Sequence, residues 1–245
     1  MNKALIVVKG LEPLACAIAA LMVKSDIAPT LLIDNINQAG ELIEPFASVK
    51  KFDISNENDI EKFDFQGQGV AFVFIVVGVF LEKRLIDVND DEIKIIYDAH
   101  FLNPIRFLRK LYQENKKPCH LVIVGSCSAW RLQNYQSIYT SIRAAQATFA
   151  RNLTSELAED IPGSKVSLLN LAGIKTPELT GKTFGSDDQF MDPEIVAETV
   201  LKQVLNQKTV YSEWQIMRKK PVVPKSIPLI TEGPETPQIF VENNK

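Results

Sequence analysis

Short apolar, β-branched runs that alternate with longer amphipathic stretches set the strongest limit on what this chain can become. The runs fall at Ala4–Val8, Thr30–Ile33, Val49–Phe52, Val70–Val77, His120–Val124, Lys165–Asn170 and Val210–Met217. Val70–Val77 is apolar throughout, as a strand buried on both faces must be. Strands separated by helical stretches predict a doubly wound parallel sheet, three layers deep, with helices on both faces. A chain of 245 residues fits one such domain with a full core, assigned here to residues 1–217. Residues 218–245 make a Pro-rich tail with little periodicity, predicted either to wrap the domain or to stay disordered.

Helix boundaries follow from capping chemistry. The first helix spans Pro13 to Lys24, and Ser55 or Asn56 caps the short helix after the third strand. Asn89 and Glu92 resemble a capping box opening a long helix, about Asp90 to Gln113, which Pro104 kinks or resets. A further helix runs from Gln136 to about Glu159. Asp192 with Pro193 starts the last one, which ends near Asn206.

Several function classes are disfavoured. A net charge of −3 leaves no basic footprint for nucleic acid or an anionic membrane, so neither is expected as a partner. Apolar runs such as Gly69–Phe80 fall short of the ~20 residues a membrane helix needs. The first apolar run is too short for a signal peptide, and Cys16, Cys119 and Cys127 show no framework spacing. These features predict a cytoplasmic protein with free thiols. With His100 and His120 the only histidines and no ligand-spaced cluster, no metal site is expected.

The chemistry concentrates between Gly125 and Arg143. A buried strand stops at Gly125-Ser126, and a helix rich in small residues carries Tyr139 and Arg143 four positions apart on one face. Ser126 stands at the carboxyl end of its strand, where open α/β sheets hold their ligands. A hydroxyl, a phenol and a fixed cation then converge. The cation favours the phenolate and suits the phenol to acid–base work.

This stretch resembles the Ser…Tyr-x-x-x-Lys core of the short-chain dehydrogenases/reductases, with Tyr139 thirteen residues after Ser126 and Arg143 in place of the lysine. The resemblance implies a Rossmann-like fold and an NAD(P)-dependent oxidoreductase. It also implies roles: Ser126 orients the substrate carbonyl, Tyr139 exchanges the proton, and Arg143 supports Tyr139 and the nicotinamide ribose. Arginine for lysine at a positioned site is not conservative. Of the family's Gly-x-x-x-Gly-x-Gly, Gly10 alone matches. Leu14 and Cys16 occupy the other glycine positions and Glu12 adds a carboxylate, all of which oppose a pyrophosphate. Gly78 is what remains of Asn-Asn-Ala-Gly. His100 falls near the family's relay asparagine, either passing a proton or merely packed, and Thr176 follows the sixth strand. Asp34 matches the carboxylate that binds the adenosine ribose and favours NAD over NADP, and Asp53 the one beside adenine; either can instead be a turn residue. Ser141, Ala144, Ala145 and Ala147 permit close packing, and the family's equivalent helix pairs across a dimer interface, implying a homodimer or homotetramer.

Two functions follow. One is an oxidoreductase acting on a small carbonyl or alcohol; the other is a non-catalytic member of the fold that has lost its dinucleotide site and serves as a binding or scaffolding subunit. A third possibility uses Tyr139 and Arg143 to hold an anionic small molecule. The polar stretch Gly173–Phe190 reads either as a lid over the crevice or as a plain surface loop.

Overall fold

The computed structural model describes residues 2–36, 48–66, 69–176, 190–218 and 238–241. Eight strands form one sheet in the order β3-β2-β1-β4-β5-β6-β7-β8, and every pairing is parallel. They are β1 (Asn2–Lys9), β2 (Ile27–Ile33), β3 (Ser48–Lys51), β4 (Val70–Val77), β5 (His120–Ser126), β6 (Lys165–Leu171), β7 (Tyr211–Arg218) and β8 (Gln238–Val241). The chain winds outward from β1 to β3, then returns to place β4 on the other side of β1. That reversal opens a crevice at the carboxyl ends of β1 and β4, the ligand position of open α/β sheets.

Side-chain alternation along the strands divides the core in two. On one face Ile6, Val8, Leu31, Phe74, Val124 and Leu169 pack against α1 (Glu12–Lys24) and the last helix, which is Pro193–Asn206. On the other, Leu5, Val7, Val73, Ile75, Ile123 and Leu168 pack against the helices Asn103–Glu114 and Ser137–Asp160. With α2 (Glu57–Lys62) and α3 (Asp90–Tyr97) counted in chain order, these three helices are α6, α4 and α5. The architecture is the Rossmann-like α/β single domain expected from the alternation.

The caps behave as their chemistry predicts. Asn56, not Ser55, caps α2. Asn89 accepts from Glu92 N at 2.8 Å while Glu92 accepts from Asn89 N at 3.1 Å, a complete capping box on α3. Asp192 caps α6 through Glu194 N at 2.9 Å. Pro104 resets the long helix. It has no N–H for the carbonyl of His100 four residues back, and a π-helical turn, Asp98–Leu102, separates α3 from α4. Its extra residue leaves His100 fully buried in the wall of the crevice.

Beyond residue 217 the chain returns to the sheet, as β8 pairs with β7 from Gln215↔Gln238 to Arg218↔Val241. The stretch between β6 and α6 has its ends tied together: Met191 N donates to Gly173 O at 2.9 Å and Lys175 N to Met191 O at 3.0 Å. Residues 177–189, most of the expected lid, lie outside the described residues. Among the described residues no helix is long and apolar enough to cross a membrane.

Two buried histidines make stability depend on acid. Burial, aided by the Lys165 charge and opposed by Gln207, pulls His120 from 6.5 down to about 4. His100 is pushed well below its ordinary value by burial and then by the Arg143 charge. Both are neutral when folded but take a proton when unfolded, so their contribution is complete above pH 6.5 and is lost as pH falls. For His120 alone the full loss is on the order of 3 kcal/mol. Thermal unfolding between pH 7 and 5 should therefore show Tm falling with acidification, with a shallower slope in His120→Gln. An unchanged slope would remove His120 from this account.

Candidate active site

Arg143 is the hub. It lies on α5 and is 2% exposed. Its Nε donates to Tyr139 Oη at 3.1 Å, Nη1 to Val124 O at 3.2 Å and Gln146 Oε1 at 2.8 Å, and Nη2 to Val77 O at 2.8 Å. The planar fork thus ties one helix to the carboxyl ends of β4 and β5 at once, which a point-like ammonium cannot do. Its charge is held by carbonyl dipoles and by the Tyr139 ring, whose centroid is 5.2 Å from the guanidinium carbon. With every nitrogen engaged inside the protein, Arg143 has no fork to offer an outside anion. The Tyr139/Arg143 pair is therefore no anion clamp.

Tyr139 is itself buried, between Phe80 at 5.1 Å and His100 at 5.8 Å, both edge to face. Its oxygen accepts a charge-assisted hydrogen bond from Arg143, the arrangement that supports a phenolate after proton transfer. His100 meets the ring of Tyr139, and its Nε2 lies 2.6 Å from Val79 O. A carbonyl can only accept, so Nε2 carries the hydrogen and the neutral ring leaves Nδ1 bare. Nδ1 of His100 and Nε2 of Gln146 are buried without partners, and both residues border one small cavity of about 10 Å³, with Ile75, Ile123 and Phe149. That volume is about one water.

Ser126 closes β5, buried, with its Oγ accepting from Ser128 N at 3.1 Å to cap a 3-10 turn at Cys127–Trp130. Gly125 before it is required by packing, since a Cβ there would stand 2.5 Å from Asn170 Oδ1. Ser126 and Tyr139 are linked to one strand end, because Arg143 grips the carbonyl of Val124 two residues before the serine.

At the other end of the crevice the turn after β1 is closed on itself. Gly10 adopts φ 74°, and its N–H donates to Glu12 Oε1 at 2.7 Å, so a carboxylate holds the donor that a phosphate would use. Leu11 lies directly over Gly78: a Cβ on that glycine would stand 2.2 Å from Leu11 Cγ. Leu14 and Cys16 do not face the crevice. Both are buried in the core of the α1 face, because α1 begins at Glu12 and turns them inward. Of the obstruction expected from Leu14, Cys16 and Glu12, Glu12 supplies its part, and Leu11 takes the place of the other two.

Asp34 and Asp53 both come to the crevice, but on a lysine. Lys9 Nζ bonds Asp34 Oδ2 at 3.1 Å and Asp53 Oδ1 at 2.7 Å. Burial works against the Lys9 charge, yet the two carboxylates outweigh it and hold the ammonium above its ordinary value. Thr176 is buried where the described chain stops after β6. Among the described residues no three His, Cys, Asp or Glu side chains gather as a metal site would require. Lys9, Leu11, Gln146 and Phe80 contact the candidate residues and were not singled out by the sequence. Gln146 alone carried a signal, three residues from Arg143 on the same helical face.

No protein-family model matches the chain. It is 24% identical over 180 residues to an uncharacterized oxidoreductase of Staphylococcus aureus strain N315, covering 71% of this chain and 77% of that one. Among solved structures it is similar to an alcohol dehydrogenase from the archaeon Thermococcus sibiricus complexed with 5-hydroxy-NADP. The TM-score is 0.74 at 20% identity, over 91% of this chain and all of the other. A short chain dehydrogenase from Burkholderia cenocepacia in complex with NADP superposes with a TM-score of 0.71 at 18% identity, over 83% and 90% of the two chains. The resemblance in the sequence is borne out at the level of the fold.

Proposed function

We propose that this chain, which shares its fold with the short-chain dehydrogenases/reductases, is an oxidoreductase moving hydride between a nicotinamide cofactor and a small carbonyl or alcohol. One observation carries the reading: a buried tyrosine takes a hydrogen bond at 3.1 Å from a cation anchored to two strand ends. In reduction, Tyr139 gives its phenolic proton to the carbonyl oxygen, and the phenolate left behind is stabilised by Arg143 Nε. Ser126 orients that carbonyl through its hydroxyl. His100, neutral and tied to Val79, acts as wall rather than as acid. The bound nicotinamide supplies the hydride.

The fit to a dinucleotide differs between its two ends. Asp34, partly exposed after β2, suits the ribose hydroxyls and disfavours a 2'-phosphate, so NAD is the favoured cofactor. Asp53 lines the adenine side, and Gly10, Gly78 and Thr176 border the phosphates and nicotinamide. At the phosphate turn, Glu12 and Leu11 must swing aside. That closure is the one observation favouring the second reading, a non-catalytic subunit of the same fold. The name of the Staphylococcus aureus relative supports the first.

The protein is proposed to act in the cytoplasm as a homo-oligomer. Its pairing surface is the α5 strip where Ser141 is exposed and Ala144 and Ala145 are half-buried. Residues 1–217 are taken as the catalytic domain, with 218–245 as its C-terminal extension. Calorimetric titration with NADH and NADPH tests the proposal. Binding near micromolar, about −8 kcal/mol, with NADH preferred, is expected of the oxidoreductase. Binding of neither by a folded protein moves the assignment to the scaffolding subunit.

A further inference from the structure

Most of the partly buried cations around the sheet's carboxyl edge have partners. Lys9 has two aspartates and Arg143 has carbonyls. Two arginines differ. Arg218, the last residue of β7, has Nε and Nη1 buried with no hydrogen-bond partner. Arg131, just after the 3-10 turn that Ser126 caps, gives Nη2 to the sulfur of Met217 at 2.9 Å, a weak acceptor. Among the described residues neither forms an ion pair.

Register locates them relative to Ser126. Ser126 pairs with Leu171, and Leu171 with Ile216, so these three side chains share one face of the sheet. Arg218 lies two residues beyond Ile216 on that face. Arg131 rests against Met217 on the other, and the charges of both arginines reach the thiol of Cys127, the residue after Ser126. The guanidinium groups therefore meet at the carboxyl end of β7, on the same edge of the sheet as Ser126 and two strands from it. Burial lowers the pKa of Arg218, as expected for a desolvated cation without a counter-charge. A half-buried guanidinium with idle N–H groups is costly unless an oxyanion completes it, and its planar fork matches carboxylate or phosphate.

We propose that Arg218, assisted by Arg131, is the subsite for an oxyanion carried by the substrate, so that the substrates are carbonyl compounds with an acidic group. This rests on the reading of Ser126 and Tyr139 as the carbonyl site. Arg143, fully engaged, is excluded from the role, and the described residues offer no carboxylate to either arginine.

The test uses the full-length protein and three probes: 4-oxopentanoate, its uncharged methyl ester and inorganic phosphate. Equilibrium binding is followed by calorimetry and ligand-observed NMR. The acid should bind at least tenfold more tightly than the ester, and phosphate should compete with it. Arg218→Gln should bring the acid down to the level of the ester without lowering Tm, since it removes an uncompensated charge, while Arg218→Lys keeps part of the preference. Phosphate binding tighter than the carboxylate, and also lost in Arg218→Gln, would support a phosphorylated substrate at the same subsite. Equal binding of acid and ester, an unchanged preference in Arg218→Gln, or a large drop in its Tm would overturn the subsite. Failure of NADH to bind while the acid still does would overturn the oxidoreductase and leave the subsite standing.

Discussion

Arg143→Lys, which puts in the lysine of the motif that this stretch resembles, is expected to weaken both the fold and the site. The guanidinium serves Val77 O, Val124 O, Gln146 Oε1 and Tyr139 Oη, acceptors lying in different directions around one plane. An ammonium at the end of a flexible stem leaves at least one buried carbonyl unpaired, at ~1–3 kcal/mol for each group stranded. A total of about 2–4 kcal/mol lowers Tm by roughly 5–15 °C in a domain of this size. Tyr139 loses its donor at the same time, so any carbonyl reduction should fall with stability. Tyr139→Phe separates the two effects. It removes only the phenolic oxygen and keeps the ring packed between Phe80 and His100, so the one group stranded is Arg143 Nε, at ~1–3 kcal/mol, and Tm should fall by several degrees at most while reduction drops by about 10²–10⁴. Thermal denaturation and NADH oxidation measured side by side on both variants decide the matter. A lysine variant as stable as the wild type and more active would mean that the guanidinium is only a substitute, and that the hub has no structural role.

Local chemistry carried most of the fold. Val70–Val77 had to be a central strand because every residue in it is apolar, and Asn89 with Glu92 had to open a helix because each side chain meets the other's backbone N–H. Pro104 announced the break before α4. What the sequence did not give was anything that depends on phase or on strand order. Leu14 and Cys16 align with glycines in one dimension, but α1 starts at Glu12 and rotates both into the core. Lys9 meets Asp34 and Asp53 only because β1, β2 and β3 lie side by side. Gln238–Val241 is too short a run to be told from a loop until β7 offers it an edge. Tyr139 and Arg143, four apart on one helix, were legible as a pair. Their anchorage to Val77 and Val124 was not, since both of those groups are backbone carbonyls with no residue-type signature.

The same phase argument yields the second large effect. Glu12→Ala should tighten NADH binding on the order of 10- to 100-fold, because it frees Gly10 N–H and removes a carboxylate from the place where two phosphate charges would lie. Leu11→Ala should add to it by uncovering Gly78, whose bare backbone is the close-approach surface on the β4 side. Leu14→Gly, the substitution that alignment to the glycine motif would recommend, should do the opposite of helping. Leu14 is fully buried between α1 and the sheet, so truncating it costs ~3–5 kcal/mol and introduces glycine into a helix without opening any surface to a ligand. Calorimetry on the three variants, each checked by thermal unfolding, gives opposite rankings for the two accounts. If Leu14→Gly binds NADH more tightly and Glu12→Ala does not, the block lies within the helix as the motif implies. If Glu12→Ala and Leu11→Ala bind and Leu14→Gly only unfolds earlier, the closed turn is a pair of side chains resting on Gly10 and Gly78. The distance between this chain and a working dinucleotide site is then two side chains rather than a lost motif.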